Sequence, residues 1–75
     1  MNRNRREAFI DLRNRIEGLK DELDALKDEQ QEYFDNMTES LQEEEKGQAA
    51  EETLGNLQSA IDSLNSAINN LDQIE

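Results

Sequence analysis

Apolar residues in the first half of the chain recur at alternating steps of three and four residues. This run places Phe9, Ile16, Leu23, Gln30 and Met37 at the a positions of a heptad, and Leu12, Leu19, Leu26 and Tyr33 at the d positions. Such spacing is typical of an amphipathic helix that packs against a neighbour with a left-handed supercoil. The sequence therefore predicts a first helix over about residues 4–40.

A second run of the same kind begins after residue 49 and contains Ala50, Leu54, Leu57, Ile61, Leu64, Ile68 and Leu71. It predicts a second helix over about residues 49–74, with the turn within residues 38–48. The fold class is all-α, and residues 1–75 form a single domain, an antiparallel helical hairpin of the coiled-coil type. The predicted core consists of Leu19, Leu23, Leu26, Tyr33, Met37, Leu54, Leu57, Ile61, Leu64, Ile68 and Leu71.

Two registers of the hairpin place a positions opposite d positions. If the numbers of paired residues add to 94, Met37 faces Leu57 and the turn is tight around Gly47. If they add to 87, Met37 faces Ala50 and a longer connection spans roughly residues 39–47. Gly47 after Lys46 suits a helix stop and supports the first register, whereas the acidic run at residues 43–45 suits a helix start. We favour the longer connection.

The chain is too short to be comfortably stable alone, because a small domain buries only a modest fraction of its surface. With no cysteine or histidine among its 75 residues, it lacks disulfides and the usual zinc ligands. Oligomerisation remains as the means of stabilisation. We therefore expect a homodimer that assembles as a four-helix bundle. Its predicted interface combines the overhang of the first helix with a small-residue flank of the second: Phe9, Ile10, Leu12, Ile16, Ala60, Ala67 and Ile74.

Charged side chains flank the seam of the first helix. The e positions hold Arg13, Lys20 and Lys27, and the g positions include Glu22 and Glu29. Charges at e and g select the orientation of a partner helix. The polar seam residue Gln30 either fixes register, which we favour, or offers a hydrogen bond to a ligand.

The formal net charge of −11 is unevenly distributed. Residues 1–15 hold five arginines against two carboxylates, and the remaining residues hold three lysines against 17 carboxylates. Direct nucleic-acid binding is therefore not expected, and the N-terminal arginines are expected to meet an acidic surface of their own or a partner subunit. The candidate acidic binding face, which serves either to solubilise or to imitate DNA phosphates, consists of Glu17, Asp21, Glu22, Asp24, Asp28, Glu29 and Asp35.

Catalysis is not expected, because the chain lacks the histidine and cysteine that act as the usual general bases and nucleophiles. No cofactor is expected, and no metal either: Asp21, Asp24 and Asp28 share a helix face but lack the curved loop of a calcium site. The longest apolar stretch is Ala8-Phe9-Ile10, far shorter than a membrane span. The expected location is the cytoplasm.

The segment from Glu32 to Gln42, followed by Glu45-Lys46-Gly47 and an acidic helix, resembles uncharacterised small acidic helical proteins encoded by phages and prophages. The resemblance covers roughly residues 20–74. Members often have proline where this chain has Thr38, which implies a helix break there, and this chain departs from the pattern at that position. The resemblance implies a small phage-encoded inhibitor that binds a host or defence protein in the host cytoplasm. The alternatives are an assembly accessory and an acidic DNA mimic.

Overall fold

A computed structural model describes residues 2–74 of the chain, and throughout this range it contains helices and turns but no strand. The helices are α1 (Arg3–Asp35), α2 (Glu39–Glu43) and α3 (Glu45–Asp72). α1 and α3 pack along each other as an antiparallel hairpin, and α2 forms part of the connection. The molecule is a narrow rod, 59 × 15 × 12 Å.

Side-chain caps determine where the first two helices begin. The Asn2 Oδ1 accepts a hydrogen bond from the Arg5 backbone N–H at 2.8 Å, which caps α1. Thr38 caps α2 in the same way, because its Oγ1 accepts from the Leu41 N–H at 3.2 Å. α1 has already ended at Asp35, so the prediction that the first helix reaches residue 40 is wrong. A local cap at Thr38 competes with continuation of the helix.

The connection is compact because α2 lies directly on the first turn of α3. α3 begins at Glu45, so the interpretation of Gly47 as a helix stop is wrong; this residue lies inside the helix and is buried. A Cβ atom there would overlap the backbone carbonyl oxygens of Leu41 and Gln42. The Gln42 Nε2 also donates to the Phe34 carbonyl oxygen at 3.0 Å, which ties α2 back to the end of α1.

An ion pair at the open end of the hairpin identifies its register. The Arg13 Nε lies 2.9 Å from the Asp72 Oδ1, and these two residue numbers add to 85. This value is close to the predicted register of 87 and excludes the register of 94. The longer connection agrees with it, because residues 36–44 with their short helix separate α1 from α3.

The core of the hairpin is thin. Its fully buried apolar residues in the described range are Ala50, Ile61 and Ile68, all on α3. No residue of α1 is fully buried, and the a positions of α1 are half-buried against α3. Leu19, Leu26 and Tyr33, which we predicted in the core, are exposed. Within one chain, the predicted core therefore needs correction at the d positions of α1.

Candidate protein-interaction surface

α1 turns its a and e positions, not its a and d positions, toward α3. Half-buried side chains occur at a, as in Ile16 and Leu23, and at e, as in Arg13, Lys20 and Lys27. The d positions lie about 60° around the helix from a and about 100° from e, since each residue turns an α-helix by about 100°. A single neighbouring helix cannot cover all three positions, and d is the one left open.

The exposed fractions of the d positions are large for apolar residues. Leu12 is 44% exposed, Leu19 55%, Leu26 53% and Tyr33 54%. These residues recur every seven positions, so they form one continuous stripe along α1. On a helix that otherwise exposes charged side chains, such an apolar stripe indicates a binding surface and not a solvated face.

α3 adds a second apolar stripe on the same side of the hairpin. Leu57, Leu64 and Leu71 are half-buried and also recur every seven residues. In an antiparallel pair the e positions of both helices meet on one side, where Arg13 binds Asp72. The leucines of α3 lie on the other side, next to the d positions of α1. We call this the apolar side; its members are Leu12, Leu19, Leu26, Tyr33, Leu57, Leu64 and Leu71, with Ala60 and Ala67 along its edge.

The residues predicted to form the oligomer interface separate into three groups. Leu12, Ala60 and Ala67 belong to the apolar side, and Ile16 is half-buried toward α3. Phe9, Ile10 and Ile74 instead line an open cavity of about 360 Å³ at the end of the hairpin, together with Leu71 and three polar residues, Arg6, Arg13 and Asp72. Phe9 is half-buried there, whereas Ile10 is 53% exposed and Ile74 39%.

The side opposite the apolar side is polar and closes the open end of the hairpin. Besides Asp72, the Arg13 guanidinium binds the Glu17 carboxylate in its own helix. The hydrogen bond that the Arg13 guanidinium donates to Asp72, reinforced by the one it donates to Glu17, raises the pKa of Arg13. Lys20 lies 3.8 Å from Asp24 on the same side. Charged side chains thus line the groove between α1 and α3 on this side of the hairpin, whereas leucines line the groove on the apolar side.

The candidate acidic face is not one face. Asp21, Asp28 and Asp35 follow a line along the outer surface of α1, with Glu17 and Asp24 about 40° away from that line. Glu22 and Glu29 lie about 100° from it on the other side and border the apolar side. The predicted set therefore splits into an outer acidic line and two glutamates that flank the leucine stripe.

A second apolar opening, missed in the sequence, lies at the turn end. Tyr33, Met37 and Leu41 line a cavity of about 300 Å³ with Asn36 and Lys46. Leu41 is 40% exposed, although it continues the heptad pattern of α1. The pattern could not place it, because the break after Asp35 moves Leu41 onto a separate helix.

Residues 2–74 contain no metal-binding cluster, no unpartnered buried polar side-chain atom and no membrane-spanning helix. This range holds no group of three or more acidic, histidine or cysteine side chains arranged to bind a metal. Every buried side-chain nitrogen or oxygen in the range has a hydrogen-bond partner. None of the helices described is both long and apolar enough to cross a bilayer. The most distinctive feature of the molecular surface is therefore the apolar side.

Comparison with known proteins gives no relative: no protein-family model, curated protein or solved structure matches the chain.

Proposed function

We propose that the chain is a non-catalytic protein-interaction module whose apolar side is covered by another protein surface. The observation that carries this proposal is the continuous stripe of half-exposed Leu12, Leu19, Leu26 and Tyr33 beside the leucines of α3. Fully burying one leucine stabilises a protein by about 1.5–3 kcal/mol, so a stripe left in water forgoes several kcal/mol. A rod of these dimensions offers long surfaces for binding.

In its most concrete form, the module is a homodimeric, phage-encoded inhibitor that binds a host or defence protein in the host cytoplasm. This proposal is supported by the separation of the outer acidic line of α1 from the apolar side. Asp21 and Asp28 are exposed on the outer surface of α1, away from the apolar side, so a dimer that covers the leucines leaves their carboxylates free for a basic target. A structural or assembly accessory remains the alternative, since the same dimer would serve it.

A pull-down from bacterial lysate tests the proposal. The tagged full chain is compared with an Asp21→Asn/Asp28→Asn variant, and with Asp62→Asn as a control on the exposed surface of α3. We expect one host enzyme to bind the wild type and the control, and to bind the acidic-line variant at least about tenfold less. Capture of virion components instead would support the accessory role. Absence of any saturable binding to protein would contradict the proposal.

The outer acidic line favours DNA mimicry as a second candidate. Asp21, Asp28 and Asp35 are exposed and spaced about 10.5 Å apart along α1. Such a row could occupy the basic groove of a nucleic-acid-binding protein. Its target would then be released by duplex DNA and by added salt. Binding that persists at high salt and in the presence of DNA would eliminate this candidate.

A further inference from the structure

We propose that the surface covering the apolar side is a second copy of this chain, laid face to face and antiparallel. The inference rests on the proposed function in one respect: the apolar side is a protein-binding surface. To the homodimer of the proposed function it adds the orientation and the register of the second copy. Three features of the chain support it: the size of the surface, the distribution of charge, and the fit of large residues against small ones.

The size of the apolar side suits a dimer of this chain. From Leu12 to Tyr33 the stripe is about 32 Å long, and two helices side by side are about 20 Å wide. This gives roughly 600 Å² for each copy and roughly 1,200 Å² in total, at the lower limit of stable specific interfaces. A partner that covered α1 alone would leave Leu57 and Leu64 half-exposed.

The charge distribution selects the antiparallel orientation. Residues 28–52, around the turn, hold ten carboxylates against Lys46, a net charge of −9. The open end, made of residues 3–15 and 60–72, holds five arginines against four carboxylates, a net charge of +1. A parallel dimer would place the two strongly acidic ends together, within the range where charges repel. An antiparallel dimer places each acidic end beside the arginines of the other copy.

The register follows from the leucine stripe of α1. All four d positions find partners only if Leu19 faces Leu26 of the second copy and Leu12 faces its Tyr33. The two-fold axis then passes between Glu22 and Leu23. Because α1 and α3 pair with residue numbers that add to about 85, the same axis crosses α3 near Asp62 and Ser63.

That position of the axis brings large residues opposite small ones along α3. Leu64 faces Ala60 of the second copy, and Leu57 faces its Ala67. Such alternation lets two helices interdigitate without voids, as in the cores of helical bundles. The α3 stripe did not enter the choice of register, so this fit is independent support for it.

The charged flank of α1 supports the same arrangement through two ion pairs, against one repulsive contact between the two Glu22 carboxylates. Next to the stripe, Arg15 comes to lie near Glu29 of the second copy, and this pair occurs twice. Arg15 is available for it: its own neighbour Asp11 lies 3.7 Å away, and both side chains are 69% exposed. Glu22 meets its own symmetry copy at the axis, which makes it the position that reports orientation most clearly.

Analytical ultracentrifugation of the full chain provides the first test. We expect the wild type to sediment as a dimer, and Leu19→Ser to raise the dissociation constant about 10- to 100-fold, because two half-exposed leucines are lost per dimer. Ala25→Ser, at an exposed position of α1 away from the apolar side, should leave the constant unchanged. A wild type that remains a folded monomer at high micromolar concentration would overturn the proposal, as would equal effects of the two variants.

Cross-linking of single-cysteine variants provides the second test. Because the sequence contains no cysteine, each variant carries one reactive thiol at a known position. Glu22→Cys is expected to join to its own copy through a short bismaleimide. Glu29→Cys is not, since it lies about 20 Å along the helix axis from its own copy in this register. A mixture of Arg15→Cys and Glu29→Cys is expected to join. Equal self-linking at positions 22 and 29, or none at 22, would exclude the antiparallel register.

These tests separate the inference from the proposed function. Sedimentation and cross-linking use the purified chain without a target, whereas the pull-down registers target binding whatever the oligomeric state. A monomer that still captures its target would refute the dimer alone. A dimer of the expected register that captures nothing would refute target binding alone.

Discussion

The same substitution at three glycines is expected to have opposite effects on stability, and the structure identifies which glycine differs. Gly18, Gly47 and Gly55 all lie within helices, and none has a positive φ. Alanine therefore suits the backbone at each position, and in an open helix it stabilises by about 1 kcal/mol relative to glycine. A Cβ added at Gly18 or Gly55 meets nothing within 4 Å. Gly18→Ala and Gly55→Ala should each stabilise the chain by about this amount.

Gly47→Ala should be destabilising. Its Cβ would overlap the carbonyl oxygens of Leu41 and Gln42 and the Gln42 Cα, which are backbone atoms and not the ends of flexible side chains. α2 must then move away from α3, with loss of the packing between them. Overpacking of this kind costs typically 1–3 kcal/mol, so the net effect, after the gain of about 1 kcal/mol in propensity, is a loss of up to about 2 kcal/mol.

Urea unfolding followed by circular dichroism, at one fixed protein concentration, measures all three variants. The expected midpoints lie above that of the wild type for Gly18→Ala and Gly55→Ala, and below it for Gly47→Ala. Neither control touches the apolar side, so self-association does not distort the comparison. A Gly47→Ala variant as stable as Gly55→Ala would refute the close packing of α2 on α3.

Three further pairs of substitutions test the core, the cap and the open end. Ile61→Ala should cost about 2–5 kcal/mol in urea unfolding, and Ile74→Ala under about 1 kcal/mol, because Ile61 is 4% exposed and Ile74 39%; equal losses would contradict the assigned core. Thr38→Ala should cost about 1 kcal/mol, whereas Thr38→Ser, which keeps the acceptor for the Leu41 amide, should cost much less. Arg13→Gln should lower the melting temperature at low salt, with a smaller difference at high salt, and the exposed Arg3→Gln should not.

The hydrophobic spacing was sufficient to predict two antiparallel helices, because heptad periodicity depends on local geometry alone, but it left two registers open. It predicted the break poorly. In the sequence Thr38 is compatible with a continuous polar helix. The structure shows that its hydroxyl oxygen accepts a hydrogen bond from the Leu41 backbone amide and caps α2. In the sequence Gly47 resembles a helix C-terminus, because its buried position depends on a tertiary contact with α2, which the local sequence does not reveal.

The hydrophobic spacing also did not determine the rotation of α1 about its own axis. Positions a, d and e are all compatible with a buried face, and only two of them can meet one neighbour. The choice of a and e depends on α3, where the buried Ile61 and Ile68 and the ion pair between Arg13 and Asp72 fix how the two helices approach each other. The consequence is the exposed stripe at d, and from it the candidate site.

Small-angle X-ray scattering from the full chain distinguishes a face-to-face dimer from a monomer and from an end-to-end dimer, because it gives mass and maximum dimension together. We expect twice the mass of one chain with a length close to the 59 Å of the single hairpin, since the two copies overlap almost completely. A particle of single-chain mass with a radius of gyration near 17.3 Å would contradict it. Double mass with roughly double the length would contradict it equally, since copies joined end to end leave the apolar side uncovered.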